Sequence, residues 1–167
     1  MAKVLNYGMV GGGPDAFIGD AHRRAISLDE SARLVAGVFS RNAEKSKKMG
    51  EVLHIEEERC YKDYETMALE EAKREDGIDF VVVVTPNASH YEICKAFLNA
   101  GIHVVCDKPV TTTYEKAVEL QKLAEEKSLL FMVTYTYMGH VTAKYARDLI
   151  ASGAIGDVRA VMAEYPQ

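Results

Sequence analysis

Gly11-Gly12-Gly13-Pro14-Asp15-Ala16-Phe17-Ile18-Gly19 lies between an apolar run, Val4 to Val10, and a helical pattern, Asp20 to Leu28. Strand, glycine-rich turn and helix in that order form a device for holding a phosphate. The glycines let the backbone turn tightly and approach an anion, while the helix start offers unpaired N–H groups and the positive end of its dipole. Gly11 and Gly13 match the first two positions of the G-x-G-x-x-G/A pattern of dinucleotide sites. Its third position falls on Ala16, with a further glycine at Gly19.

Three other short segments carry reactive or ligand-binding side chains. Ser40-Arg41 follows an apolar run at a place where dinucleotide folds often put an acid to bind the adenosine ribose of NAD. A hydroxyl and a guanidinium there suit the extra 2′-phosphate of NADP, with Lys45 one helical turn on as a helper. Thr85-Pro86-Asn87 ends the most apolar run, and Asn87 could cap the next helix while offering an amide to a ribose. His90 reads as a packed polar side chain at that helix start. Cys106-Asp107-Lys108-Pro109 ends another apolar run. A lysine in a partly desolvated cleft has its charged form disfavoured and can donate or accept a proton, and Pro109 fixes the chain direction behind it.

These segments need elements to bring them together. Strands are expected at Val4–Val10, Arg33–Phe39, Ile78–Val84, Ile102–Cys106 and Leu129–Thr134. Helices are expected over Asp20–Leu28, Asn42–Val52, Asp63–Arg74, Asn87–Ala100 and Thr113–Lys127. Strand–helix alternation of this kind predicts an α/β fold, a Rossmann-like doubly wound parallel sheet. The run Val81-Val82-Val83-Val84 suits its centre, where both faces are covered. Ligands of such sheets bind beyond the carboxyl ends of the strands, the rim that would carry all four segments. The division expected is a dinucleotide-binding domain over residues 1–134 and the start of a second, α+β domain over 135–167. That second part reads as a short helix, Tyr145–Ala151, and a strand, Val158–Tyr165.

Bulk composition narrows the function further. The 167 residues are 48% hydrophobic and 27% charged, ordinary for a globular protein with a real core. A net charge of −5 argues against a nucleic-acid partner. Cys60, Cys94 and Cys106 have no metal-ligand spacing, so no metal is expected, and their scatter suggests a reducing compartment. With no leader and no membrane-length apolar run in these residues, a cytoplasmic protein without membrane partners is expected. A P-loop is absent from the first turn, and a methyltransferase would want an acid where Ser40 and Arg41 stand.

The glycine turn with Ile18-Gly19-x-x-His22, Thr85-Pro86-Asn87-x-x-His90, Asp107-Lys108-Pro109 and the stretch Ala146–Val158 together resemble the Gfo/Idh/MocA family. That family is named for glucose–fructose oxidoreductase, inositol dehydrogenase and a rhizopine-catabolism protein. The resemblance implies an NAD(P)-dependent oxidoreductase acting on a sugar, cyclitol or related polyol. Cofactor contacts would come from Gly11, Gly13, Pro14, Phe17, Ile18, Ser40, Arg41, Lys45, Thr85, Pro86, Asn87, His90, Asp107, Lys108 and Pro109. Lys108 would also bond the reacting hydroxyl or carbonyl, and His22 is read as packing. Three departures stand out: Asp107 for the commoner glutamate, Thr136 and Met138 where relatives often carry asparagine and arginine, and a length about half that of a two-domain member. A truncated chain is expected, able to bind cofactor without turnover, its second-domain Asp and His lacking and its full-length form a homo-oligomer. Two alternatives are a non-catalytic nucleotide-binding or redox-sensing module and the NAD-dependent glycoside cleavage of some relatives.

Overall fold

The valine run stands at the middle of the sheet: Val81, Val82 and Val83 are wholly buried. β-branched side chains fit a pleated surface covered on both faces, and burying each one stabilises by roughly 1.5–3 kcal/mol. The computed structural model describes residues 3–14 and 16–166, so Asp15 of the glycine turn lies outside the described residues. Its strands are β1 (Leu5–Gly11), β2 (Ala32–Val38), β3 (Phe80–Val84), β4 (His103–Cys106) and β5 (Phe131–Val133). All neighbours pair in parallel, in the order β2-β1-β3-β4-β5. The strand order reverses between β1 and β3, which opens a crevice at their carboxyl ends.

Helices α1 (Phe17–Ser27), α2 (Ala43–Val52), α3 (Tyr64–Glu71), α4 (His90–Asn99) and α5 (Tyr114–Glu126) cover both faces. The strand period of two decides which residue meets which helix. Val10, Val81 and Val83 pack with Met67 of α3, Phe97 of α4 and Leu120 of α5. Met9, Val82 and Val84 turn the other way, toward Met49 of α2 and Ile18 and Ile26 of α1. Three helix starts carry the side-chain caps that stop fraying: Asn42 Oδ1 accepts from Lys45 N–H at 3.0 Å, Asp63 Oδ1 from Thr66 N–H at 2.7 Å and Thr113 Oγ1 from Lys116 N–H at 3.5 Å.

The outer edge of β2 is not left open. Gly37 bridges Cys60 in parallel, and Tyr61 N–H donates to the Gly37 carbonyl at 3.0 Å. This short segment is held from below by Arg59, whose guanidinium meets the Glu71 carboxylate with Nε at 3.0 Å and Nη2 at 2.5 Å. Both side chains are almost fully buried, and Tyr61 Oη donates to the same carboxylate at 2.8 Å. A buried pair of this kind survives only when each charge is fully bonded.

Contacts divide the chain into residues 1–134 and 135–167. The second unit holds a 3₁₀ turn, Thr136–Gly139, and helix α6, Val141–Ala151, four residues longer at its start than the sequence suggests. Within it the hydroxyls of Tyr137 and Tyr165 lie 3.0 Å apart. The strand expected at Val158–Tyr165 is irregular backbone instead. A lone segment gains no ladder bonds, and among the described residues no strand runs beside it. The helix expected from Asn87 begins as a 3₁₀ turn, Asn87–Ser89, before α4.

Helix α1 meets the turn before it backbone to backbone. A Cβ placed on Gly19 would stand 2.3 Å from the Cα of Gly12, with no flexible side chain able to yield. Gly19→Ala should therefore destabilise the fold by roughly 1–3 kcal/mol, read as a lower urea midpoint. An unchanged midpoint would show that α1 can withdraw from the turn without cost.

Candidate functional site

Beyond the last residue of β1 the backbone adopts conformations that side chains resist. Gly11 and Gly12 have φ of 96° and 71°. A Cβ on Gly11 would stand 2.8 Å from the Val84 carbonyl oxygen, and one on Gly13 would stand 2.6 Å from that of Phe39. Glycine is required three times in succession, twice by conformation and once by crowding alone. The Gly12 carbonyl accepts from Arg23 Nη1 at 3.1 Å, which braces the turn from the helix side. Ala16, the residue before α1, has no side-chain group to cap the helix, so the first-turn N–H groups are left to other partners.

This turn floors a cleft of about 630 Å³. Of the residues expected to contact a cofactor, Gly11, Gly13, Pro14, Ser40, Arg41, Lys45, Thr85 and Pro86 line it. Arg41 and Lys45 are exposed at one end, where Ser40 Oγ accepts from Asn42 N–H at 3.1 Å. Lys62 and Asp63, just before α3, and Tyr64 and Glu65, its first two residues, line that end. Sequence reasoning missed these four. The Asp63-x-x-Thr66 cap was visible in the sequence, but the pairing of Cys60–Tyr61 with the β2 edge, which carries the segment there, leaves no local pattern. In the middle, Ser89 Oγ donates to Pro86 O at 2.7 Å and lies 2.8 Å from Thr85 Oγ1.

The remaining expected residues fall elsewhere. Phe17 is 86% exposed on the outside of α1, and Ile18 packs under the sheet. Asn87 is exposed and does not cap α4; its helix start begins three residues later, so its amide is out of register with the α4 N–H groups. His90 is not on the cleft surface at all. Its ring is fully buried, Nδ1 2.9 Å from the Pro109 carbonyl oxygen and Nε2 2.7 Å from that of Thr85.

Asp107, Lys108 and Pro109 leave β4 at the same rim as the glycine turn. The register runs from Gly11 to Val84 across β1 and β3, and from Val83 to Cys106 across β3 and β4. The Asp107 N–H still donates to Val83 O at 2.9 Å, so the loop starts in ladder geometry. Lys108 is exposed, and the burial expected to disfavour its charge is not there. The Asp107 carboxylate accepts from Thr134 Oγ1 at 3.0 Å and has His22 Nε2 3.7 Å away. His22 packs with its ring near that carboxylate, beside the β4 loop.

The residues present fit a dinucleotide. Its pyrophosphate needs close backbone approach at an uncapped helix start, and the glycine cradle, which any Cβ would fill, supplies that. Residues 5–135 match the profile of the oxidoreductase family with an NAD-binding Rossmann fold. The uncharacterized oxidoreductase YfiI of Bacillus subtilis (strain 168) is 45% identical over 166 residues, which are 99% of this chain and 42% of YfiI. An inositol dehydrogenase homolog from Azotobacter vinelandii complexed with NAD⁺ superposes with a TM-score of 0.91 at 42% identity, covering 95% of this chain and 41% of that one. The same homolog with NADH and myo-inositol gives 0.90 at 42% identity, over 95% of this chain and 42% of that one. The chain therefore spans under half the length of these relatives. By profile, sheet order and glycine cradle alike, the chain belongs to the Gfo/Idh/MocA oxidoreductase family and carries its NAD-binding Rossmann fold.

Proposed function

We propose that the cleft holds the dinucleotide of a polyol dehydrogenase, and that the whole protein moves a hydride to or from a cyclitol, a sugar or a related polyol. The observation that carries this reading is the shared rim: adjacent parallel strands put the glycine cradle, the Thr85–Pro86 loop and Lys108 at one edge. The backbone of Gly11–Gly13 and the start of α1 take the pyrophosphate. Ser40, Arg41, Lys45 and Lys62 face the adenosine end, and Thr85 and Pro86 the middle. When bound, the nicotinamide supplies the hydride chemistry. Lys108 would hold the proton at the substrate oxygen, and the Thr134 and His22 contacts of Asp107 aim the loop that carries it. The cyclitol class is supported by the Azotobacter vinelandii homolog, whose structure holds NADH and myo-inositol. No helix among the described residues is long and apolar enough to cross a membrane.

Residues 135–167 are read as the start of the substrate and oligomerisation portion, and the chain by itself as a cofactor binder without turnover. The relatives' greater length supports this division. The exposed, unengaged Lys108 favours one second reading, a nucleotide-binding module without catalysis. Replacing Lys108 by Met in the whole protein separates the two. A dehydrogenase loses roughly 100-fold in kcat for cyclitol oxidation, with cofactor affinity within about twofold. If no cyclitol, sugar or related polyol is oxidised at all by the wild type, the module reading stands instead.

Cofactor preference follows from the adenosine end. Arg41, Lys45 and Lys62 outnumber the Asp63 and Glu65 carboxylates at that end, and Asp63 is engaged in capping α3, so a 2′-phosphate is favoured and NADPH should bind more tightly than NADH. Arg41→Ala should cost roughly tenfold in NADPH affinity by fluorescence titration and leave NADH within about twofold. Tighter NADH binding that ignores the substitution would assign the site to NAD alone.

A further inference from the structure

The ring of His90 is bonded in a way that a neutral histidine cannot satisfy. Both nitrogens face carbonyl oxygens, Pro109 O at 2.9 Å and Thr85 O at 2.7 Å. A carbonyl only accepts, so both nitrogens must donate, and only the imidazolium has two N–H groups. Either neutral tautomer would set a bare lone pair against an oxygen inside a fully buried site.

The two oxygens belong to different loops. Thr85 follows β3 and Pro109 follows β4, and the strand pairing stops before either, its last bond running from Asp107 N–H to Val83 O. Among the described residues no other side chain bonds both loops. Ser89 serves Thr85 and Pro86, while Thr134 and His22 serve Asp107. We propose that His90 is a positioning residue for the dinucleotide, its doubly donating ring tying the Thr85–Pro86 loop to the Lys108–Pro109 loop and setting their spacing. This rests on the reading that these loops hold the cofactor.

The surroundings sustain a charge on the ring. Burial opposes it most, but the ionised Cys106 sulfur of β4 and the Pro109 and Thr85 carbonyls outweigh burial and raise the His90 pKa to about 9. Cys106 is itself drawn below the ordinary thiol range, first by a hydrogen bond with Cys94 of α4 and also by His90. The nearby Asp107 carboxylate is engaged by Thr134 and His22. A pKa raised by folding gives a contribution complete below the ordinary histidine value near 6.5 and lost as pH climbs through about 9. The tie therefore holds at neutral pH and loosens in alkali.

Two measurements on the 167-residue chain test this. Long-range ¹H–¹⁵N correlation spectra of the His90 ring should show both nitrogens protonated at neutral pH, losing one proton near pH 9. NADH titrated against the wild type should then bind more weakly as pH passes that point. His90→Gln, whose amide reaches only one of the two carbonyls, should bind NADH roughly tenfold more weakly at neutral pH and show no such step. If the variant does not fold, the ring spectrum and the wild-type profile decide by themselves. A bare ring nitrogen at neutral pH, or superimposable pH profiles for wild type and variant, overturns the His90 assignment while leaving the dinucleotide site intact. A folded wild type that binds neither NADH nor NADPH removes both.

Discussion

Helix α1 begins where it does because Gly12 and Gly19 let two stretches of backbone touch. With a Cβ on Gly19, the helix would have to move outward, and its first-turn N–H groups would leave the mouth of the turn. Those groups and the glycine amides offer N–H donors that suit an anion without any charged side chain. The strand order opens the crevice between β1 and β3, and this one contact sets the direction of α1 over it.

The rest of the site is built on polar groups buried beneath the loops. Arg59 and Glu71 anchor the segment that brings Lys62–Glu65 to the cleft, and His90 anchors the loops after β3 and β4. None of these three side chains lines the cleft, yet each decides where a lining residue stands. Among the described residues, every buried side-chain nitrogen or oxygen has a partner. Satisfying such groups fixes one loop arrangement among many that apolar packing alone would allow. Rigid strands with loops pinned at their tips suit a site that must hold a long, flexible ligand in one pose.

Motif matching misplaced several roles for reasons the geometry makes plain. The alanine variant of the dinucleotide pattern put the third position at Ala16, but the close packing reserved for that position is done by Gly19, one turn later. Phe17 and Ile18 lie inside the motif and still point away from the cleft, because consecutive helical residues face different sides. His90 is the packed polar side chain expected at the start of its helix, and its ring nitrogens also meet the carbonyls of two loops. A histidine's partners are set by atoms distant in sequence, and nothing beside it announces them.

The alternation of apolar runs with helical patterns determined the α/β class, the five strands of residues 1–134 and their parallel sense, since period and length are local properties of the chain. The glycine turn and the Thr85-Pro86-Asn87 and Asp107-Lys108-Pro109 segments were legible for the same reason, as was the prospect of a phosphate site. Only the tertiary structure decided that Lys62–Glu65 close the cleft, that Lys108 stands exposed, that Val158–Tyr165 forms no strand, and that His90 bonds two loops at once. Each of these depends on contacts between residues far apart in the chain or on a neighbouring strand being there to pair. Such contacts are chosen by packing and by the need to satisfy buried polar groups, and neither leaves a pattern in the order of residues.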